Sequence, residues 1–164
     1  MLDFLFPFLL GAFCGSRTML PTGVLCWFAF TGRLHAGGTW FAFLANPLTV
    51  AIFTTAVIAE LIVDKLPITP SRLKAPLLVA RLCAGAFVGA VLATAIGSRD
   101  VSSAVGAGLG ASGAVFGALI GYWLRTRLVM RLRVPDWVVA VVEDATAILG
   151  SYMVVGIVTA ALSH

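Results

Sequence analysis

Residues 2–31, LDFLFPFLLGAFCGSRTMLPTGVLCWFAFT, hold two apolar runs separated by Gly-Ser-Arg-Thr-Met-Leu-Pro at positions 15–21. Each run, 2–15 and 19–31, is shorter than the roughly 20 residues a helix needs to cross a bilayer core. Glycine and proline placed so closely interrupt a helix, one by its flexibility and the other by its missing N–H. Two arrangements follow. The runs form one long, broken crossing, or they form a re-entrant hairpin that dips in and returns. Backbone that is not helical survives at that depth only where protein or trapped water satisfies it. The break, and Arg17 with it, is therefore expected to face the interior of the protein.

Four more apolar segments follow, at 47–64, 75–97, 102–124 and 135–161. The first of these has Asn46 placed as its cap and Pro47 in its first turn, where a missing N–H does no harm. All four approach or exceed spanning length. The fold expected is all-α and integral to the membrane. It is a compact bundle of five to six transmembrane segments forming a single domain over residues 1–164, with glycine-rich helix packing. A hairpin at the break makes three segments plus three, the number an inverted repeat requires. Pro47 leads to Glu60 and Pro135 leads to Glu143, though at different spacings.

Composition leads the same way. The chain is 60% hydrophobic and 11% charged, with a mean hydropathy of +1.05. A soluble domain is usually about half apolar and a quarter charged. The N-terminal MLDFLF carries an acid where a signal peptide carries basic residues, so the first run is expected to be a retained helix.

The net charge of +4 is not spread evenly. Lys65, Arg72 and Lys74 form one basic cluster, and Arg125, Arg127, Arg131 and Arg133 form another. Both lie between apolar runs, as basic loops do on the cytoplasmic side of a membrane. This puts loops 65–74 and 125–133 in the cytoplasm, with the turn at Arg99 and the loop around Arg33 and His35 outside. Tyr122, Trp123 and Trp137 flank the second cluster, at the level of interfacial aromatics. No aromatic-basic module accompanies the charge, so nucleic acid is not expected as a partner. Cys14, Cys26 and Cys83 lie in apolar stretches without a CxxC and read as free buried thiols. No cofactor is expected.

Gly106, Gly110, Gly113, Gly117 and Gly121 step by four, three, four and four, which returns them to one helical face. Small residues at this spacing let helix backbones approach closely in lipid. The groove serves either packing within one chain or contact with a second copy in a homo-oligomer.

The informative residues are the ionisable ones within the apolar segments. Glu60 and Asp64 are four apart and share a helical face. From the cytoplasmic ends, the helical rise puts Glu60 about 7 Å deep, Arg81 about 9 Å and Glu143 about 12 Å. Arg17 arrives at a comparable level from the opposite side. Separate segments thus deliver charge to one layer, with Asp144 beside Glu143. Arg17 and Arg81 face the acids Glu60, Asp64, Glu143 and Asp144, so acids outnumber bases. Residual charge at such depth is costly. A carboxyl there takes up a proton or a cation joins it, unless the pairs are purely structural and lock the bundle.

GxRxxLP at residues 15–21, ExxxDKxP at 60–67 and the Glu143-Asp144 pair resemble the pattern of a widespread bacterial family of small polytopic membrane proteins catalogued as a domain of unknown function. The resemblance covers nearly the whole chain. It supports the architecture and singles out Arg17, Glu60, Asp64, Lys65, Pro67, Glu143 and Asp144, but it implies no substrate.

Three functions compete. A small transporter or channel would use Arg17, Glu60, Asp64, Arg81, Glu143 and Asp144 to bind an ion or solute, linked to protons or cations. A structural or interaction protein, an oligomeric scaffold or a lipid-binding accessory subunit, would use the same charges as locks. An intramembrane enzyme is the least supported, because no HExxH, Ser-His arrangement or phosphate loop is present.

Overall fold

The computed structural model describes residues 2–63, 75–97, 100–132 and 136–162. Among these residues the chain is all-helical: α1 (Leu2–Ser16), α2 (Leu20–Phe30), a 3₁₀ turn (Ala42–Ala45), α3 (Pro47–Val63), α4 (Ala75–Ile96), α5 (Ser103–Leu132) and α6 (Asp136–Leu162). Three helices are long and apolar enough to cross a membrane, at Pro76–Ile96, Ser103–Leu128 and Val138–Leu162. The helices α1, α2 and α3 are apolar but shorter. Many large apolar side chains point outward, among them Leu48, Ile62, Leu149 and Met153. With the composition, this outer surface suits lipid better than water.

Helix ends follow local chemistry. The Asn46 side chain accepts the Leu48 N–H at 2.9 Å and caps α3 as expected. Gly97 closes α4 with φ of +64°, a left-handed turn that glycine adopts without a Cβ penalty. One boundary departs from expectation. Residues 125–132 are not a loop but the last two turns of α5. No glycine or proline interrupts the chain there before Pro135, arginine is a good helix former, and positive charge is favourable at a helix C-terminus. Residue 133 and the basic cluster at 65–74, with Asp64, Lys65, Pro67, Arg72 and Lys74, lie outside the described residues.

The two short helices form a hairpin. Phe13 packs against Gly150, and Ser16 and Arg17 reach Glu143 and Asp144, so α1 runs antiparallel to α6. Beyond Arg17 the direction reverses. Phe28 meets Tyr152 edge to face and lies near Gly156, so α2 runs back beside α6 in its own direction. Helix α3 then descends along α2, pairing Thr54 with Trp27, Val57 with Gly23 and Glu60 with Met19. The break is narrower than the sequence implies. Ser16 still belongs to α1 and Pro21 to the first turn of α2, leaving Arg17, Thr18 and Met19 between them.

Helix α5 is enclosed between α1 and α4. Glycine makes this possible. A Cβ on Gly110 would collide with the Gly85 carbonyl, and one on Gly11 with the Gly110 carbonyl, so three backbones meet at one point. Gly106 meets Gly89, while Gly113 and Gly117 meet Phe8 and Ala12 of α1. These four glycines of the expected stripe are thus occupied within the chain, and Gly121 lies farther along, beside a crevice between α5 and α6. The halves do not repeat one another: α2, the counterpart of α5, packs on α3 and α6 instead.

The segment between α2 and α3 is more than a connecting loop. Leu34, Phe41 and Leu44 are fully buried beneath it, and the Trp40 indole donates to Thr94 on α4 at 3.1 Å. It closes one end of the bundle.

Candidate functional site

The hairpin ends inside the bundle, and its tip creates a problem in backbone chemistry. Arg17 N–H still bonds to the Phe13 carbonyl at 2.8 Å, completing α1. Thr18 and Met19 come next, and their N–H groups precede the first turn of α2, where donors have no partner within the helix. Met19 stands at the cap position and provides no side-chain cap. The carboxylate of Glu60 supplies what is lacking. One oxygen accepts the Thr18 N–H at 2.6 Å and the other accepts the Met19 N–H at 2.9 Å. Charge-assisted bonds of this kind are about twice as strong as neutral ones. The positive end of the α2 dipole favours the carboxylate further. Thr54, Val57 and Glu60 fall on one face of α3 by their spacing of three, which carries Glu60 to the tip.

Arg17 reaches α6. It is completely buried, and its Nη2 forms an ion pair with Oδ1 of Asp144. Asp144 is also buried, at 7% exposure. Its neighbour Glu143 projects about 100° around the helix. There it accepts a hydrogen bond from the Ser16 hydroxyl at 3.1 Å and remains partly exposed. Two adjacent acids of α6 thus meet two consecutive residues at the end of the hairpin.

Arg81 is buried on α4, one turn before Gly85. Because Ala114 lies beside both Gly85 and Gly15, that turn comes to the level of the hairpin tip. The structure therefore gathers Arg17, Glu60, Glu143 and Asp144 around the tip and sets Arg81 at the same height. Asp64 lies outside the described residues. Among the described residues, no group of three His, Cys, Asp or Glu side chains is placed to hold a metal ion.

Counting side chains alone missed the partner of Glu60. The excess of acids over bases is offset at Glu60 by two backbone N–H groups, which a tally of charged residues does not include. The signal was present in the interruption itself, since a helix restarting at depth brings unpaired donors with it. Ser16 was missed as well, because an isolated serine has no distinguishing pattern.

Two cavities open near this layer. A crevice of about 270 Å³ lies between α5 and α6 beside the end of α1, with Ser16, Gly121, Arg125, Val139 and Glu143 among its walls. A groove of about 260 Å³ lies over α2, between α3 and α6. Val24, Trp27, Val57 and Tyr152 line it, and no charged side chain does. The charged layer therefore communicates with the first cavity through Glu143. Arg17 and Asp144 form a fixed pair behind it, while Glu60 is committed to the backbone of the tip.

Residues 5–164 match the model of a protein family described as Domain of unknown function (DUF4126). No curated protein and no solved structure shows significant similarity to the chain.

Proposed function

We propose a role for a chain that belongs to the family described as Domain of unknown function (DUF4126): it is a small multi-pass membrane transporter or channel linked to a proton or cation. Its helices alternate in direction through six segments, of which α1 and α2 form an inserted hairpin. The basic cluster at 65–74 and the arginine-rich end of α5 face the cytoplasm, following the asymmetry of basic residues. Glu143 is the exchangeable group. It binds and releases a proton or small cation from the α5–α6 crevice.

The observation that carries this reading is the double position of Glu143. Glu143 is part of the crevice wall, and its carboxylate accepts the hydroxyl of Ser16 at the hairpin tip. A change in its charge is therefore felt by the hairpin tip, next to the Arg17–Asp144 pair. Broken helices beside ionisable side chains are a recurrent design for membrane transport sites.

A second reading has its own support. The capping of the Thr18 and Met19 N–H groups by Glu60 and the pairing of Arg17 with Asp144 satisfy these charges structurally, as a scaffold would require. Reconstitution separates the two. The purified protein is placed in vesicles containing a pH-sensitive dye, and a potential is imposed in the presence of a panel of cations. A flux in the wild type that Glu143→Gln abolishes, with folding intact, supports transport. No flux under any gradient would transfer the charged layer to a structural role.

A further inference from the structure

The proposed transport role uses only the inner part of the α5–α6 crevice, around Glu143. The outer part has a chemistry of its own. Its walls are almost wholly apolar, and Phe116, Leu124 and Val142 on its rim are exposed, so it opens sideways from the bundle. Arg125 lies on its wall two turns along α5 from Gly117, which packs against α1. Tyr122 and Trp123, both exposed, stand within one turn of Arg125. Aromatic residues of this kind concentrate at the headgroup level of a membrane. The volume of about 270 Å³ is just below the roughly 300 Å³ at which pockets for drug-sized molecules begin. It suits a narrow, flexible apolar chain.

We infer that this crevice is a binding site for one anionic phospholipid, with an acyl chain between α5 and α6 and the phosphate at Arg125. The charge arrangement sets the direction of the ligand. Glu143, deeper on the opposite wall, repels a negative headgroup, and Arg125 attracts one at the outer end. A phosphate at Arg125 stands where interfacial aromatics put the headgroups, while Ile120 and Val142 flank the chain. Arg127, two positions on, lies on a different face of α5 and stacks on the Trp123 ring at 3.9 Å from its centre. It contributes to the general positive potential but not to the crevice. This site does not depend on the transport reading, because it requires no flux.

The test is native mass spectrometry of the full-length protein, titrated with phosphatidylglycerol or with phosphatidylcholine of the same acyl chains. The expected result is one tightly retained phosphatidylglycerol. An arginine near anionic lipid contributes about 1 kcal/mol, so Arg125→Gln should reduce the preference about fivefold. Arg125→Lys should retain most of it, and Arg127→Gln should leave it nearly unchanged. Gly121→Leu, which fills the crevice without altering charge, should weaken retention of both lipids. Thermal unfolding shows that each variant is folded. Equal retention of the two lipids by the wild type would overturn the site. So would an equal loss in Arg125→Gln and Arg127→Gln, stabilisation by inorganic phosphate alone as great as by the lipid, or unchanged retention in Gly121→Leu.

Discussion

Glu60 and Met19 stand 41 positions apart in the chain, yet the carboxylate of the first accepts the backbone N–H of the second at 2.9 Å. The other oxygen holds Thr18 in the same way at 2.6 Å. A side chain on α3 therefore completes the N-terminus of α2. The hairpin can end inside the bundle because a neighbouring helix brings a charged acceptor to its unsatisfied donors. Burying those donors without a partner would cost as much as losing the bonds.

The first prediction concerns this contact. Hydrogen bonds to a charged group contribute about 1.5–3 kcal/mol each, so Glu60→Ala should destabilise the fold by roughly 3 kcal/mol or more. Glu60→Gln keeps one acceptor oxygen but turns an amide N–H₂ towards the second donor, and should cost about half as much. Thermal unfolding in detergent measures both. Stability unchanged in Glu60→Ala would show that solvent satisfies the tip.

Arg17 and Asp144 should behave as a coupled unit. Removing one member of a buried ion pair leaves the other charged and uncompensated, at a cost of about 3–5 kcal/mol. Arg17→Met and Asp144→Leu should each be severely destabilised, and the double variant should recover part of the loss. A double-mutant cycle reads the coupling directly. Additive effects would mean that the two side chains act independently.

Glycines on α5 provide an internal comparison. A Cβ on Gly110 would meet the Gly85 backbone, whereas nothing lies within 4 Å of one on Gly108. Gly108→Ala should therefore be neutral or stabilise by up to about 1 kcal/mol through helix propensity. Gly110→Ala should cost about 1–3 kcal/mol, because backbone cannot yield as a flexible side chain can. The order of the two unfolding temperatures decides the matter.

Topology can be read with thiol chemistry. Cys14 and Cys26 are buried as expected, whereas Cys83, expected to be buried, is exposed on the outer side of α4. In detergent, a small maleimide should modify Cys83 in the folded protein and the other two only after denaturation. In a cysteine-free background, Asp3→Cys and His35→Cys should label from the same side of a membrane vesicle, as a hairpin requires. Labelling from opposite sides would restore the single broken crossing.

Much of the architecture was legible along the chain because its causes are local. Runs of apolar residues, Asn46 before Pro47 and the glycine after α4 set where helices begin and end, and three of the expected segments proved long enough to cross a membrane. The end of α5 lies beyond the expected boundary because a cluster of arginines signals a membrane boundary without signalling the end of a helix. Leu34, Phe41 and Leu44 carried no periodic pattern, so their burial under the segment after α2 was visible only in the fold.

The sequence by itself determined that charge and a broken helix coexist in an apolar chain, since both are properties of residue identity and spacing. Tertiary structure alone decided how they are combined. The direction of α2 depends on its packing against α3 and α6, and that packing makes the break a hairpin. The partners of Glu60 are backbone groups, which every residue carries and no sequence pattern distinguishes. Glu143 and Asp144 are neighbours in the chain, but the helix turns them apart, one onto Arg17 and the other onto Ser16 and the crevice. Their separate roles follow from where other helices stand around α6, which adjacent letters in a sequence cannot record.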